Sequence, residues 1–151
     1  MGKAAIRKAH PDEASAIDAL VRAVIAETYP ELFPAGAPPR GELTRWCGAL
    51  VLVRENTIAG VGLAKRGWIH DLWLRRDARG QGHGTRLLAR LEDSLRQGGA
   101  DTARLRANAS NTRATAFYVR RGYTAIRTYP HERHGKPMVD YAKPLDAALD
   151  S

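Results

Sequence analysis

The chain has 151 residues, with 24 lysines and arginines against 16 acids for a net charge of +8, and a single cysteine. That length predicts one domain over residues 1–151 with a sizeable core, and no run approaches the ~20 apolar residues of a membrane span. Cys47 cannot close an internal disulfide, so a reducing, cytoplasmic setting is expected, and Met1-Gly2-Lys3 lacks the apolar core of a secretion signal.

Taken in order, Ile6-Arg7-Lys8-Ala9 suits a first strand. Ile6 also stands where a myristoylation site wants Ser or Thr after Gly2, so lipidation is not indicated. Ala14, Ile17, Leu20, Val21, Val24 and Ile25 recur at helical spacing, with Asp12 and Glu13 in the first turn where the helix dipole favours acids. Between 30 and 41, Pro30, Pro34, Pro38, Pro39, Gly36 and Gly41 predict a loop or broken helix. Cys47 reads as a small core thiol. Residues 50–53 and 58–64 form a hairpin about Glu55-Asn56-Thr57, and Lys65-Arg66-Gly67 turns into a third strand over 68–74.

That strand runs into Arg75-Arg76-Asp77-Ala78-Arg79-Gly80-Gln81-Gly82-His83-Gly84-Thr85-Arg86, a glycine-rich turn opening directly into a helix marked by Leu87, Leu88, Leu91 and Leu95. Glycines at 80, 82 and 84 strip alternate positions of side chains, so backbone N–H groups can close on an anion at the positive end of the helix dipole. The arrangement predicts a pyrophosphate seat. A Rossmann fingerprint needs glycine at the sixth position, which from Gly80 is Thr85; a P-loop needs Ser or Thr after Gly-Lys, and Gly135-Lys136 is followed by Pro137. Both nucleotide readings fail.

After a strand near 103–107, Asn108, Ser110 and Asn111 are capable N-caps of a helix in which Ala114, Phe117 and Tyr118 share a packed face. Asn111 and Tyr118 are seven residues apart, close to two turns, and so face the same side about 10 Å along the axis. Gly122 stops this helix, and strands over 123–129 and 138–141 close the chain. The sequence is therefore β-α-(α)-β-β-β-α-β-α-β-β.

Arg79, Gly82 and Gly84, with Gly80, resemble motif A of the GCN5-related N-acetyltransferases. The run from Asn111 through Ala114, Phe117 and Tyr118 to Gly122-Tyr123 resembles their motif B. Arg76 stands where the family usually has proline and Leu74 where it has valine; neither removes a needed N–H. The resemblance implies an α/β fold, a mixed, mostly antiparallel central sheet flanked by helices. It implies acetyl transfer from acetyl-CoA to a primary amine by direct attack, without a metal. Leu72, Trp73 and Leu74 would offer backbone N–H groups to the oxyanion, and the strand splayed from its neighbour would pair with the pantetheine arm. Arg79, Gly80, Gln81, Gly82, His83, Gly84 and Thr85 would hold the diphosphate, Asn111 the pantetheine or the helix start, and Tyr118 would protonate the departing sulfur. Asp71 is the first candidate for the base, with His70 beside it on the opposite face, and Glu27, Tyr29 and Glu31 lie where the acceptor loop begins. By the family's habit a homodimer is implied.

The acceptor stays open between a small-molecule amine and a macromolecular one, such as a protein N-terminus, a lysine or aminoacyl-tRNA; a non-catalytic acyl-CoA-binding module is a further alternative. Arg75, Arg76, Arg79 and Arg86 would draw phosphates to the turn. No aromatic-and-basic interleaving of the kind used for base stacking runs along the sequence, so nucleic acid is the lesser partner. His131 and His134, with Glu132 between, have no further Cys or Asp nearby and read as a solvated hairpin loop rather than a metal site.

Overall fold

Apolar periodicity in the sequence is met, among the described residues, by seven strands and three helices: β1 (Ala4–Lys8), α1 (Ala14–Thr28), β2 (Leu50–Arg54), β3 (Thr57–Lys65), β4 (Trp68–Leu74), α2 (His83–Gln97), β5 (Thr102–Asn108), α3 (Thr112–Arg120), β6 (Thr124–Pro130) and β7 (Pro137–Pro144). The computed structural model describes residues 4–38 and 43–146; Met1, Gly2 and Lys3, and Pro39 and Gly41 of the expected loop, lie outside them. The strands follow the order β1-β2-β3-β4-β5-β7-β6. β4 and β5 run parallel, whereas β1–β2, β2–β3, β5–β7 and β6–β7 are antiparallel. Two compact units divide the chain: one runs to Leu63 and resumes over Asp71–Leu91, the other comprises Ala64–His70 and the chain from Glu92 onward.

In the first unit, β2 is a continuous apolar run because both its faces are covered. Val51 joins Ile17, Val21 and Ile25 of α1 with Val61, Leu63, Trp46 and Ala49, while its neighbour Leu52 joins Ala59 and Ala78 on the other face. Glu55 and Asn56 form the two-residue turn of the β2–β3 hairpin, both left-handed at φ 53° and 62°, which matches strand twist. A Cβ on Gly62 would sit 2.7 Å from Leu91 Cδ1, so glycine there lets α2 approach β3. The acids expected in the first turn of α1 lie instead in a 3-10 turn, Pro11–Glu13. Glu13 accepts two bonds from Arg7 (2.9 and 2.8 Å) and one from the His10 N–H (2.7 Å), which lowers its pKa to about 2. Between α1 and β2 a short 3-10 turn, Leu43–Trp46, takes the place of a second helix.

Cys47 corrects the expectation of a core thiol: it is exposed. The turn sends Trp46 and Ala49 into the core on either side of it, and Gly48 at φ 85° reverses the chain between them. The thiol is left facing water.

The second unit builds on β5, whose alternation buries Ala103 and Leu105 and exposes Arg104 and Arg106. α3 differs from its expected packed face. Ala114, Phe117 and Tyr118 are only half-buried and no residue of α3 is fully buried, because the helix is short and its rings lean on neighbours at its end. Gly122 at φ 96° ends the helix, and β6 starts at Thr124, one residue later than expected, since Tyr123 turns inward.

Tyr123 donates to Glu92 Oε2 at 2.8 Å, and Lys143 Nζ reaches both oxygens of the same buried carboxylate at 3.2 and 3.1 Å. Burial first, then the bond to Glu92, pushes the Tyr123 phenol far above its ordinary pKa. Glu92→Leu would strand a buried hydroxyl and a partly buried amine. The expected cost is about 3 kcal/mol, seen in urea unfolding or as a Tm lowered by roughly 6–12 °C.

Candidate active site

The turn after β4 is built within the first unit. Arg75 N–H bonds Ala59 O at 2.8 Å, tying the strand's end to β3, and a 3-10 turn, Arg76–Ala78, then drops Ala78 into the core. That turn is an element the sequence did not announce; it stands between strand and glycines where a direct passage was expected. Arg79 donates to Leu74 O at 3.1 Å and Gln81 to Asp77 O at 3.0 Å, bracing the loop from inside. Gly80 and Gly82 adopt φ 75° and 83°, and a Cβ on either would meet nothing within 4 Å. The space above them is open.

α2 starts at His83, and its first amides point outward because a helix has no internal acceptors for them. Charges near the turn are mostly cationic. Arg75 and Arg54 share Asp77 at 2.7 and 3.3 Å, and Arg86 lies 3.4 Å from His83 Nδ1. Partial burial, and after it Arg86 and Arg54, lowers the pKa of His83; the guanidiniums of Arg86, Arg54 and Arg75 around the turn make the field at the start of the helix positive. Open space, left-handed glycines and that field fit a diphosphate. The strand residues Leu72, Trp73 and Leu74 lead into the turn half-buried.

Asp71 is enclosed in this unit, with no exposed side-chain surface. Its Oδ2 accepts from Arg45 at 2.7 Å and its Oδ1 from the Trp73 indole at 2.9 Å. Arg45, in the turn Leu43–Trp46, escaped sequence reasoning because it lies 26 residues from its partner in no motif; only the fold joins them. Glu27 and Glu31 are exposed and, among the described residues, no cation holds either. Tyr29 closes the C-terminus of α1 and packs on the core beside Phe33, so it is part of the scaffold there.

The second unit holds the other motif, and exposed His70 lies on its part of β4. Of the three capable caps, Asn111 is the one used: its Oδ1 accepts from Ala114 N–H at 3.2 Å. Asn108 is buried and accepts from the Ser110 N–H at 3.0 Å and hydroxyl at 2.7 Å, forming the bend that delivers the chain to α3. The Tyr118 ring meets Phe117 and Tyr123 edge-on, with centroids 5.4 and 5.8 Å away, which fixes its direction.

The hairpin loop after β6 is more ordered than a solvated loop. His131 and His134 are half-buried and stacked, centroids 3.9 Å apart at 6°. His131 Nδ1 accepts from Arg133 N–H at 3.0 Å and His134 N–H at 3.4 Å, and His134 Nδ1 from Lys136 N–H at 3.1 Å. Both rings must be neutral there to accept. Desolvation, then the neighbouring His131 and Lys136, lowers the pKa of His134 below the usual 6.5. Since the unfolded chain then binds the proton more readily, the loop's stability is present above pH 6.5 and declines as the pH falls. Between pH 7.5 and 5.5 the amide protection factors at residues 131–136, taken relative to the slower intrinsic exchange at the lower pH, are expected to fall selectively; protection factors that stay constant there, or fall equally across the chain, would contradict this.

A model of the acetyltransferase (GNAT) family matches residues 19–123. An N-acetyltransferase from Staphylococcus aureus Mu50 is 19% identical with a TM-score of 0.77, covering 95% of this chain and 99% of its own. yncA of Salmonella typhimurium, in a structure with its cofactor acetyl-CoA, is 16% identical with a TM-score of 0.76, covering 95% of each chain. PaiA N-acetyltransferase from Thermoplasma acidophilum, in complex with coenzyme A, is 15% identical with a TM-score of 0.71, covering 94% of this chain and 99% of its own. At such identities the likeness is one of fold. No curated protein matches the chain.

Proposed function

The chain belongs to the acetyltransferase (GNAT) family, and from that premise we propose that it moves an acetyl group from acetyl-CoA to a primary amine on a small molecule by direct attack. The observation that carries this is the turn at Gly80 and Gly82, left-handed, open above, and followed by the outward amides of α2 among the guanidiniums of Arg54, Arg75 and Arg86. In this reading Arg79, Gly80, Gln81, Gly82, His83, Gly84 and Thr85 hold the diphosphate. Amides of Leu72, Trp73 and Leu74 steady the oxyanion as the amine nitrogen bonds the thioester carbon.

The carbon–sulfur bond then breaks, and Tyr118 gives its proton to the departing sulfur. A phenol near pKa 10 opposite a thiol near 8.5 stays protonated at neutral pH and is a mild donor. Asn111, whose oxygen caps α3, holds that helix start in place for Tyr118. The attacking amine must also lose a proton. Asp71 is enclosed and both its oxygens already accept hydrogen bonds, so it takes that proton only by relay and otherwise anchors Arg45 and Trp73. If Asp71→Asn keeps the rise of kcat/KM with pH, proton removal belongs elsewhere, with exposed His70 next in line.

Exposed Glu27 and Glu31 favour a cationic amine as acceptor. Calorimetry with CoA, followed by thiol release from acetyl-CoA across a panel of amines, tests the proposal. Micromolar binding and turnover with small polyamines or amino sugars are expected. No uptake of CoA at millimolar levels would overturn it, and binding without turnover on any amine would leave only a carrier module.

A further inference from the structure

The register of the second unit assembles on one sheet face what the linear sequence keeps apart. Arg106 of β5 lies opposite Asp140 of β7, and Asp140 opposite Arg127 of β6, so three strands contribute one row. Tyr129 shares that face two residues beyond Arg127, and Trp68 of β4 pairs with Arg104. The opposite face of β5 carries the buried Ala103 and Leu105. Arg104, Arg106 and Arg127 are exposed, while Asp140 is only 5% exposed.

Asp140 organises the row. Its Oδ1 accepts from Arg106 Nε at 3.2 Å and from the Tyr129 hydroxyl at 2.7 Å, and its Oδ2 lies 3.3 Å from Arg127 Nη2. The Arg106 guanidinium stands 5.7 Å from the Trp68 ring centre and 5.4 Å from that of Tyr129, and Arg127 stands 4.4 Å from Tyr129. Each guanidinium is thus pinned at one edge and backed by a ring, with half or more of each side chain still facing water. An arginine has five N–H donors, and Asp140 engages only one nitrogen of each. Three cations against that single acid leave the row at +2, on a chain whose net charge is +8.

We propose that this face of β5, β7 and β6 binds single-stranded RNA. Phosphates sit against Arg104, Arg106 and Arg127, and an unstacked base lies on the outer plane of the Arg127 guanidinium, whose other side is backed by Tyr129, a mode that suits single strands. Donors left over on both arginines meet the 2′-hydroxyl, which DNA lacks. The proposal is independent of the acetyl-transfer reading, since none of these residues is assigned to it.

Fluorescence anisotropy of the full chain with labelled oligouridine tests it. Micromolar affinity at low salt is expected, falling as log salt rises, with the slope reduced by about 0.7 for each arginine neutralised. Arg104→Gln, outside the Asp140 network, should weaken binding about threefold with melting temperature and CoA affinity held. Arg104→Gln with Arg127→Gln should weaken it at least tenfold with CoA affinity held and a melting temperature lowered by a few degrees, since Asp140 Oδ2 then loses its ion-pair partner. Unchanged affinity in the double variant overturns the proposal. So does equal binding of the matching DNA strand. Polyglutamate displacing the RNA at equal charge would also overturn it, and would reassign the face to an acidic protein.

Discussion

Tyr118→Phe is expected to lower kcat about 10²–10³-fold while leaving the Kd for acetyl-CoA within roughly twofold. General-acid groups contribute on that order, and this substitution removes only the hydroxyl. The ring keeps its edge-on partners, Phe117 at 5.4 Å and Tyr123 at 5.8 Å, so α3 should hold its place and the melting temperature should move little. The Tyr118 carbonyl accepts from the Arg121 and Tyr123 N–H groups, and neither bond depends on the side chain. A drop in kcat/KM equal to that in kcat would mark an interaction made only in the transition state. If kcat falls less than threefold, the ring merely packs and the leaving sulfur finds its proton in water.

How far the residues alone carried this reading depends on the range over which each feature is encoded. The strand–turn–helix at 68–97 was legible because it is local: apolar run, alternating glycines and a leucine-marked helix stand within thirty residues. The bounds of β4 came out as expected for the same reason, with a left-handed Arg66-Gly67 turn before it. Features that depend on distant partners were not legible. The Arg45–Asp71 pair has no local pattern, and the Asp140 row requires the register of three strands. Cys47 is exposed although a small thiol suits a core, because its burial is decided by the turn around Gly48 and not by its apolar character. The face of α3 is covered less than its spacing predicts for a related reason: helical spacing marks which residues share a face, and not how deeply that face is covered.

Gly82→Ala is expected to raise the Kd for CoA about 10- to 100-fold while costing only about 1–2 kcal/mol of stability. A residue with a Cβ held at φ 83° bears left-handed strain of about 1–2 kcal/mol. No protein atom lies within 4 Å of the new Cβ, so the folded chain itself suffers no further clash. The methyl occupies the space a diphosphate must enter to reach the backbone amides. Displacing the anion weakens one or more charge-assisted hydrogen bonds, each worth about 1.5–3 kcal/mol, which gives the stated change in affinity. Gly99 supplies the control: it has φ 93°, an added methyl there would also meet nothing within 4 Å, and it lies beyond the far end of α2. Gly99→Ala should therefore lose similar stability and bind CoA as the unaltered chain does. Equal affinity losses in the two variants would trace the effect to backbone strain in general and remove the turn at 79–84 from the binding of CoA.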